Sequence, residues 1–404
     1  MNLKLATIIC SLSIVFGCKP PDDTGFEPTA PFLIKKQVFE APGTDEDPVS
    51  SVSSGVEVKI AGNNGNGGAT NFSFANLTSS GDFAVGAWKS ITQTAGMSYN
   101  KCNRIQQLSG GNLLMLGAAG ISMTDCEAYA IVTDAGGNYI KHYKTDNVGA
   151  NEFNSAVAQS DGALLITGSS TAFGTGDPDF YLVKLDVNLD FVWEKNFGSE
   201  WNEGAVKIVP FDNNGNFFYL FGYTDADFLN GRQLWLIRIN NLGDSVWSKT
   251  LGTDVDDEPR DIIRTEDENH VILSVADNDN RELQFYKIDP STGKDNWLGT
   301  AKYGMPNQDI DAYHLINYPS SYPGGTIIAV GYGYASGART DEDMLVIKTT
   351  LSFDGPTVYT IGEADFNERG KTAVEVADGI MIIGYKSDKS GNTNKDLFVA
   401  KIRK

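Results

Sequence analysis

Apolar runs recur along the chain at a nearly constant interval. Each run is apolar along most of its length, and six of the seven end in glycine. The runs are GVEVKIAG (55–62), NLLMLG (112–117), ALLITG (163–168), FFYLFG (217–222), HVILSVA (270–276), GTIIAVG (325–331) and GIMIIG (379–384). Successive runs are 51 to 57 residues apart. This period predicts seven copies of one structural unit.

Each unit predicts four short β-strands. A first strand follows an acidic loop, as in EGAVKIV (203–209), and a turn rich in Gly and Asn leads to the apolar second strand. A polar loop precedes the third strand, as in DFYLVKL (179–185), and a tight turn leads to the fourth. Most units carry a large aromatic ring in or beside the fourth strand. These rings are Trp88, Tyr143, Trp193, Trp247, Trp297 and Tyr359.

The second strands lack the apolar and polar alternation of a sheet with one wet face. Continuous apolar runs indicate sheets that are buried on both faces, as when each sheet is stacked between two copies of itself in a ring. The chain therefore predicts an all-β, seven-bladed β-propeller of four-stranded antiparallel blades. We expect the rings of the fourth strands to fill the widening gaps near the rim. The glycines that close the second strands should permit close backbone approach between blades or begin the turn.

The two ends of the chain predict how the ring closes. The last unit stops after its third strand, DLFVAKIRK, and lacks a fourth. The segment PFLIKKQVFEAPGTDED (31–47) has the character of a fourth strand and the acidic loop after it. We therefore expect residues 32–40 to complete the last blade and cover its exposed edge. The alternative is six blades plus an N-terminal hairpin.

The N-terminal residues predict a targeting segment. An apolar run of 12 residues, Leu5 to Phe16, follows Lys4, and it is too short for a spanning helix, which needs roughly 20 residues. Gly17 followed by Cys18 resembles the lipobox of bacterial lipoproteins, which implies acylation of Cys18. The expected organisation is a signal peptide (1–17), a lipidated Cys18 with a flexible tether (18–30) and a single propeller domain (31–404).

The residues after Cys18 bear on localisation. Lys19 followed by Asp22 and Asp23 resembles the surface-export signal of Bacteroidota lipoproteins. This resemblance implies a lipid anchor in the outer membrane and favours the cell-surface side. The periplasmic side stays open as the alternative.

Three segments of one unit carry a wider family resemblance. DGALLITGSST (161–171), DFYLVKLD (179–186) and WEKNFG (193–198) resemble the tandem-repeat propeller lipoproteins and secreted proteins of Bacteroidota. The same pattern covers nearly all of the chain after the signal. The resemblance implies the propeller fold but no activity, because that family largely lacks assigned chemistry and one fold hosts many functions.

Charge narrows the choice of partner. The chain has 52 Asp and Glu residues against 32 Lys and Arg residues, for a net charge of −20. Nucleic-acid binding needs clustered cations to neutralise phosphates, so that class is excluded. An acidic surface suits a basic protein partner or cations.

Two cysteines remain after the signal and the anchor. Cys102 begins its unit's first strand, and Cys126 precedes the third strand of the same unit. Because an even pair in an oxidising compartment favours bridging, the sequence predicts a disulfide between them.

In a four-stranded meander, the loops between fourth and first strands emerge on the same side as the loops between second and third strands. We name this side the loop face and the opposite side the turn face. The loops predicted for the loop face are long and acidic, which makes this side the expected binding surface. Its predicted binding residues are Trp201, Asp227, Phe228, Asp254, Asp256, Asp257, Glu258, Asp311, Asp341 and Asp365.

A calcium ion is the one cofactor left open. Four carboxylates fall between Asp254 and Glu258, and calcium prefers hard oxygen ligands. No stretch has the spacing of an EF-hand loop, so no cofactor is predicted.

The sequence also lacks a nucleophile motif such as G-x-S-x-G. It therefore favours a non-catalytic lipoprotein, a protein-binding scaffold or accessory subunit of an outer-membrane or surface complex. The alternative is a surface lipoprotein that binds or cleaves glycans.

Overall fold

The structure is a computed structural model. It describes residues 33–39, 45–55, 57–66, 69–78, 88–91, 97–174, 176–226, 231–277, 280–289, 296–304, 308–318, 325–334, 341–389 and 394–403. The signal peptide, Cys18 and the tether lie outside these residues. Among the described residues, no helix is long and apolar enough to cross a membrane.

Within the described residues, twenty-eight strands form seven four-stranded antiparallel sheets, here called blades 1 to 7. Blade 1 contains β2 (Asp45–Ser53), β3 (Glu57–Asn66), β4 (Ala69–Thr78) and β5 (Lys89–Ser90). Blade 2 contains β6 (Tyr99–Gln107), β7 (Leu113–Ser122), β8 (Asp125–Thr133) and β9 (Tyr139–Lys144). Blade 3 contains β10 (Asn151–Ala158), β11 (Leu164–Ser170), β12 (Asp179–Leu185) and β13 (Phe191–Phe197). Blade 4 contains β14 (Glu203–Pro210), β15 (Phe217–Thr224), β16 (Gln233–Asn240) and β17 (Ser245–Leu251).

The remaining blades continue the same order. Blade 5 contains β18 (Asp257–Arg264), β19 (His270–Asp277), β20 (Arg281–Asp289) and β21 (Asn296–Tyr303). Blade 6 contains β22 (Ile310–Tyr318), β23 (Thr326–Tyr334), β24 (Glu342–Thr350) and β25 (Thr357–Ile361). Blade 7 contains β26 (Phe366–Val376), β27 (Gly379–Asp388), β28 (Lys395–Arg403) and β1 (Leu33–Phe39).

The first strands of the blades form the inner wall of the ring. Each contacts the first strand of the next blade, and β26 of blade 7 contacts β2 of blade 1. This cyclic contact confirms the seven-bladed propeller and excludes the six-blade alternative. The first strands therefore surround a central channel.

The ring is closed by the predicted crossover. β1 pairs antiparallel with β28, from Leu33 opposite Ile402 to Phe39 opposite Leu397. Blade 7 thus takes its outer strand from the start of the chain. This pairing covers the edge of β28.

The core consists of seven apolar clusters in the described residues, and each lies between two neighbouring blades. The second strands supply fully buried residues to these clusters, which explains their lack of alternation. Trp193 and Trp247 are partly buried against clusters that include the following blade. Trp193 and Trp247 thus pack between blades as expected, whereas the side chain of Trp297 lies outside the described residues.

A β-bulge occurs at the same place in every inner strand. The unpaired bulge residues are Val49, Asn103, Asn154, Val206, Arg260, Tyr313 and Lys371. In six blades a glycine of the second strand lies opposite the residue before the bulge, as Gly168 lies opposite Phe153. A Cβ at Gly168 would overlap the carbonyl oxygen of Glu152. The close approach is therefore within a blade, not between blades.

Candidate interaction surface and central channel

Two acids on the loop face, one of them the predicted Asp257, hold the backbone of their own loops. In six of the seven blades, the residue three positions before the bulge is Glu, Asp or Asn. All six of these side chains are buried. Glu203 accepts bonds from Ser199 Oγ at 2.7 Å and Ser199 N at 3.1 Å. Asp257 occupies the same position in blade 5 and accepts from Thr253 N at 2.5 Å and Thr253 Oγ1 at 2.9 Å. Asp257 thus fixes the loop that enters blade 5, and because its side chain is buried it is not accessible to a binding partner.

Two further predicted residues join neighbouring blades. Asp311 is buried and receives both Arg260 at 2.8 and 3.0 Å and Arg281 at 3.1 Å. Glu258 accepts from Arg232 at 3.2 Å. These bidentate and bridging pairs hold blades 4, 5 and 6 in register at the loop-face end of the channel.

The other predicted residues are dispersed. Asp254, Asp256 and Asp365 are exposed, whereas Asp341 is buried. Asp227 and Phe228 lie outside the described residues. Trp201 is 38% exposed on the loop that enters blade 4. None of these described side chains lines the cavity formed at the ends of β22 and β26.

The calcium alternative gains no support from the four neighbouring acids. Asp257 and Glu258 are already engaged, and Asp256 accepts from Arg232 N at 2.7 Å. Within the described residues, no group of three or more His, Cys, Asp or Glu is arranged to hold a metal ion.

The expected disulfide requires a correction, because Cys102 and Cys126 are free thiols in the structure. Cys102 lies opposite Gly117, and Cys126 lies opposite Gly120. Since Gly117 and Gly120 are three residues apart in one strand, the two thiols lie on opposite faces of the blade. Cys102 packs in the cluster between blades 1 and 2, while the Cys126 thiol donates to Asn151 O of blade 3 at 3.6 Å. Burial raises the pKa of Cys102 to about 12.

An apolar patch on the loop face was missed by sequence reasoning. Ile121, Met123 and Val148 are 75, 66 and 84% exposed. Ile121 and Met123 lie at the hairpin between β7 and β8, and Val148 lies in the loop that enters blade 3. A parallel bridge between Cys126 and Ala150 aligns these segments side by side. We name these three residues the apolar patch.

Acidic side chains border the apolar patch. Asp125 next to Met123 is exposed, and the side chain of Asp146 is 91% exposed. Lys144 pairs with Glu127 at 2.6 Å and with Asp146 at 3.2 Å. Apolar residues with a charged border are typical of protein interaction sites.

The second distinctive region is the central channel. Contacts between polar side chains there run from one blade to the next. Lys101 pairs with Glu152 at 2.6 Å, and Asn103 donates to Asn154 Oδ1 at 2.7 Å. Tyrosines of the second and first strands stack against cations near the loop-face end. Arg232 lies 3.9 Å from the ring centre of Tyr223.

The residues that directly follow the bulges form one level of the channel, here called the mid-channel ring. They are Ser50, Arg104, Ser155, Lys207, Asp261, His314 and Thr372. Asp261 of the ring forms an ion pair with Lys207 and accepts from Leu315 N at 2.8 Å. His314 Nδ1 is 3.4 Å from Asp261 Oδ2. Blades 4, 5 and 6 are joined through this one carboxylate.

The charged residues of the mid-channel ring change one another's pKa values. Burial alone would raise the pKa of Asp261, but Lys207, His314 and Arg104 lower it below its ordinary value. Burial lowers the pKa of His314 to about 4; Asp261 opposes the shift, and Lys207 and Arg104 add to it. Burial also lowers the pKa of Lys207 and the pKa of Arg104, and Asp261 opposes both shifts.

A cavity of about 590 Å³ lies at the turn-face end of the channel. It is lined by the ends of β22 and β26 and by the turn after β2. Its polar lining includes His314, Asn317 and Glu375, and the rest is mostly apolar. His314 belongs to both the cavity and the mid-channel ring.

Comparison with known proteins identifies the architecture. No family model matches the chain, and no curated protein matches it. A protein of unknown function from Dyadobacter fermentans has a TM-score of 0.53 at 10% identity, over 92% of this chain and 99% of that chain. The Pan2 WD40 domain of Neurospora crassa has a TM-score of 0.52 at 9% identity, over 88% and 89%. Puromycin hydrolase has a TM-score of 0.52 at 12% identity, over 87% and 52%.

These likenesses show the β-propeller fold alone, since all the identities are low. The chain is a seven-bladed β-propeller.

Proposed function

We propose that the protein is a non-catalytic lipoprotein of the outer membrane that binds a protein partner through its loop face. Cys18 carries the lipid, residues 19–30 form the tether, and the propeller lies on the cell-surface side. The lipobox-like Gly17-Cys18 and the resemblance to Bacteroidota repeat lipoproteins support this location.

The apolar patch is the observation that carries the binding proposal. Ile121, Met123 and Val148 expose large side chains on neighbouring segments, and each would gain by removal from water, about 25 cal/mol per Å² of apolar area. Hydrogen bonds through Cys126 and Asn151 fix the segments to the blade, with Asn151 Nδ2 donating to Gly149 O at 3.3 Å. A partner therefore meets a surface that is already ordered, and it loses less entropy on binding.

The partner should present a basic surface around an apolar anchor. The chain carries a net charge of −20, and Asp125 and Asp146 border the patch. Complementary charge would steer the encounter, and the apolar contact would hold the complex.

The test is affinity capture of the full lipidated chain from membranes of the native cell, followed by mass spectrometry. The double variant Ile121→Ser/Met123→Ser should lose the captured partner and keep its melting temperature, because both side chains are exposed. Val187→Ser/Leu242→Ser is the matched control, since Val187 and Leu242 are 64 and 61% exposed in turns between third and fourth strands, on the turn face. Equal capture by both double variants would contradict the patch as the binding site.

Glycan binding is the second candidate, and the exposed Trp201 is the observation that favours it, since an indole can stack on a sugar ring. Retention of the chain on a polysaccharide column, lost in Trp201→Ala and unaffected by Ile121→Ser/Met123→Ser, would establish this alternative. Absence of retention leaves the protein-binding proposal as the function.

A further inference from the structure

Two cations of the channel form no ion pair with a carboxylate among the described residues. Six cationic side chains lie on the inner strands close to the bulges, from two residues before a bulge to one residue after it. They are Lys101, Arg104, Lys207, Arg260, Arg369 and Lys371. Four of these pair with Glu152, Asp261, Asp311 or Glu342. Arg104 and Lys371 have no carboxylate within 4.0 Å in the described part of the chain.

Arg104 is the cation of the mid-channel ring that keeps free donors. Its Nε donates to Asn154 O at 3.0 Å. Its two terminal nitrogens make no hydrogen bond within the described residues. A guanidinium has five N–H donors in a planar fork. Most of that fork is therefore available to a ligand.

Asp261, the carboxylate of the ring, forms no ion pair with Arg104 because its oxygens already have other partners. Asp261 Oδ1 already receives Lys207 Nζ and Ile262 N, the latter at 2.9 Å. Asp261 Oδ2 receives Leu315 N at 2.8 Å and lies 3.4 Å from His314. The ring thus keeps an excess positive charge that its own residues do not balance.

Lys371 adds to the excess positive charge, and it lies one residue away from the mid-channel ring. It is the bulge residue that precedes Thr372 of the ring. Its Nζ lies 3.9 Å from the ring centre of Tyr313 and 5.7 Å from that of Tyr385. Burial lowers the pKa of Lys371 to about 8; Asp47 opposes the shift, and Lys395 and Arg369 add to it. Aromatic faces offset only part of the cost of burying a charge.

We propose that the central channel binds a small molecule with an oxyanion group, either a carboxylate or a phosphate, through the free fork of Arg104. Carboxylates and phosphates both present two oxygens that can accept parallel N–H bonds from the planar guanidinium. The ammonium of Lys371 on the neighbouring level, which has no carboxylate within 4.0 Å among the described residues, also favours an anion.

The adjoining cavity holds the rest of the molecule. Its volume of about 590 Å³ falls within the roughly 300–1,000 Å³ of small-ligand sites. His314 lines the cavity and also belongs to the mid-channel ring that contains Arg104 and Lys207. Asn317 Oδ1 is buried without a hydrogen-bond partner among the described residues, so it offers an acceptor to a donor on the ligand. Glu375 in the lining directs the anionic end inward, toward the ring.

The test uses the full chain with inorganic phosphate and succinate as probes, each against chloride at equal ionic strength and pH 7. Titration calorimetry and the melting temperature are the readouts, since a ligand of the folded state raises stability with its concentration. We expect saturable binding of at least one probe. Phosphate binding alone assigns a phosphate ligand, and succinate binding alone assigns a carboxylate ligand.

Arg104→Gln should abolish binding, and Arg104→Lys, which keeps the charge, should weaken it about tenfold or more. If Arg104→Gln does not fold, the affinity of Arg104→Lys for the probes tests whether the guanidinium binds them. Arg403→Gln is the matched control, because Arg403 is exposed at the end of β28. The proposal is overturned if neither probe binds, or if both Arg104 variants bind as tightly as the Arg403 variant.

Discussion

The loop face and the central channel are built from the same seven repeats, but their polar side chains make different contacts. On the loop face, residues such as Glu203 and Asp257 bind the backbone of their own loop. In the channel, Lys207 reaches Asp261 on the next blade, and Arg260 reaches Asp311. Glu203 and Asp257 therefore close their own loops, whereas Lys207, Asp261, Arg260 and Asp311 join neighbouring blades. The number of acids in a loop does not by itself indicate a ligand.

The largest expected effect tests this difference directly. Asp261→Asn should lower the free energy of unfolding by about 3–5 kcal/mol, because Lys207 would be left buried without its partner. Asp254→Asn on the loop face should stay within about 0.5 kcal/mol, since Asp254 is exposed. Urea denaturation of both variants measures the contrast. Equal losses would remove the distinction between the two regions.

A second, smaller effect concerns the wall of the channel. Gly168→Ala should cost about 2–3 kcal/mol, because a Cβ would overlap the Glu152 carbonyl oxygen beside the bulge. Blade 5 already has Ser274 at this position, opposite Pro259. Ser274→Gly should change stability by about 1 kcal/mol or less. Comparable losses in the two variants would show that the bulge does not require the glycine.

A pH-dependent effect tests the boundary between the two regions, where Glu368 lies near the start of the inner strand β26. Burial raises the pKa of Glu368 to about 8; Lys386 lowers it, and Asp343 and Glu363 raise it further. The folded state therefore keeps a proton that the unfolded state releases near pH 4.5. The stability contribution of Glu368 is fully present below about pH 4.5 and is lost as pH rises toward about 8.

Glu368→Gln should accordingly flatten the fall in the free energy of unfolding between pH 5 and 8, relative to the unsubstituted chain. Chemical denaturation at intervals across this range is the measurement. His270 and His314, whose pKa values burial lowers to about 4, add stability as pH rises from about 4 to 6.5 in both chains. Parallel pH profiles for the two proteins would contradict the assignment to Glu368.

The periodicity of the sequence was sufficient to predict the blades and their closure. Repeated apolar second strands mark sheets covered on both faces, and the missing fourth strand after β28 left a place for β1. These features depend on patterns that the whole chain repeats, so local exceptions such as Ser274 do not obscure them.

The candidate sites were harder to predict because they depend on side-chain direction. A bulge interrupts strand alternation, so Arg104 and Asp261 reach the channel at positions that a regular two-residue period would misassign. The orientation of Cys102 and Cys126 required the register of β6, β7 and β8. The apolar patch depends on a bridge between two loops, and nothing in either loop alone indicates it. Aligning the units on the glycine of the second strand would have located the mid-channel ring.

The pairing of Leu33 with Ile402 has a kinetic consequence. Among the described strands, β1 is the first in the chain and its partner β28 is the last. Six blades can form from neighbouring segments, but the seventh needs a contact between distant parts of the chain, which is slow to establish. We therefore expect closure of the ring by β1 to be a late step of folding.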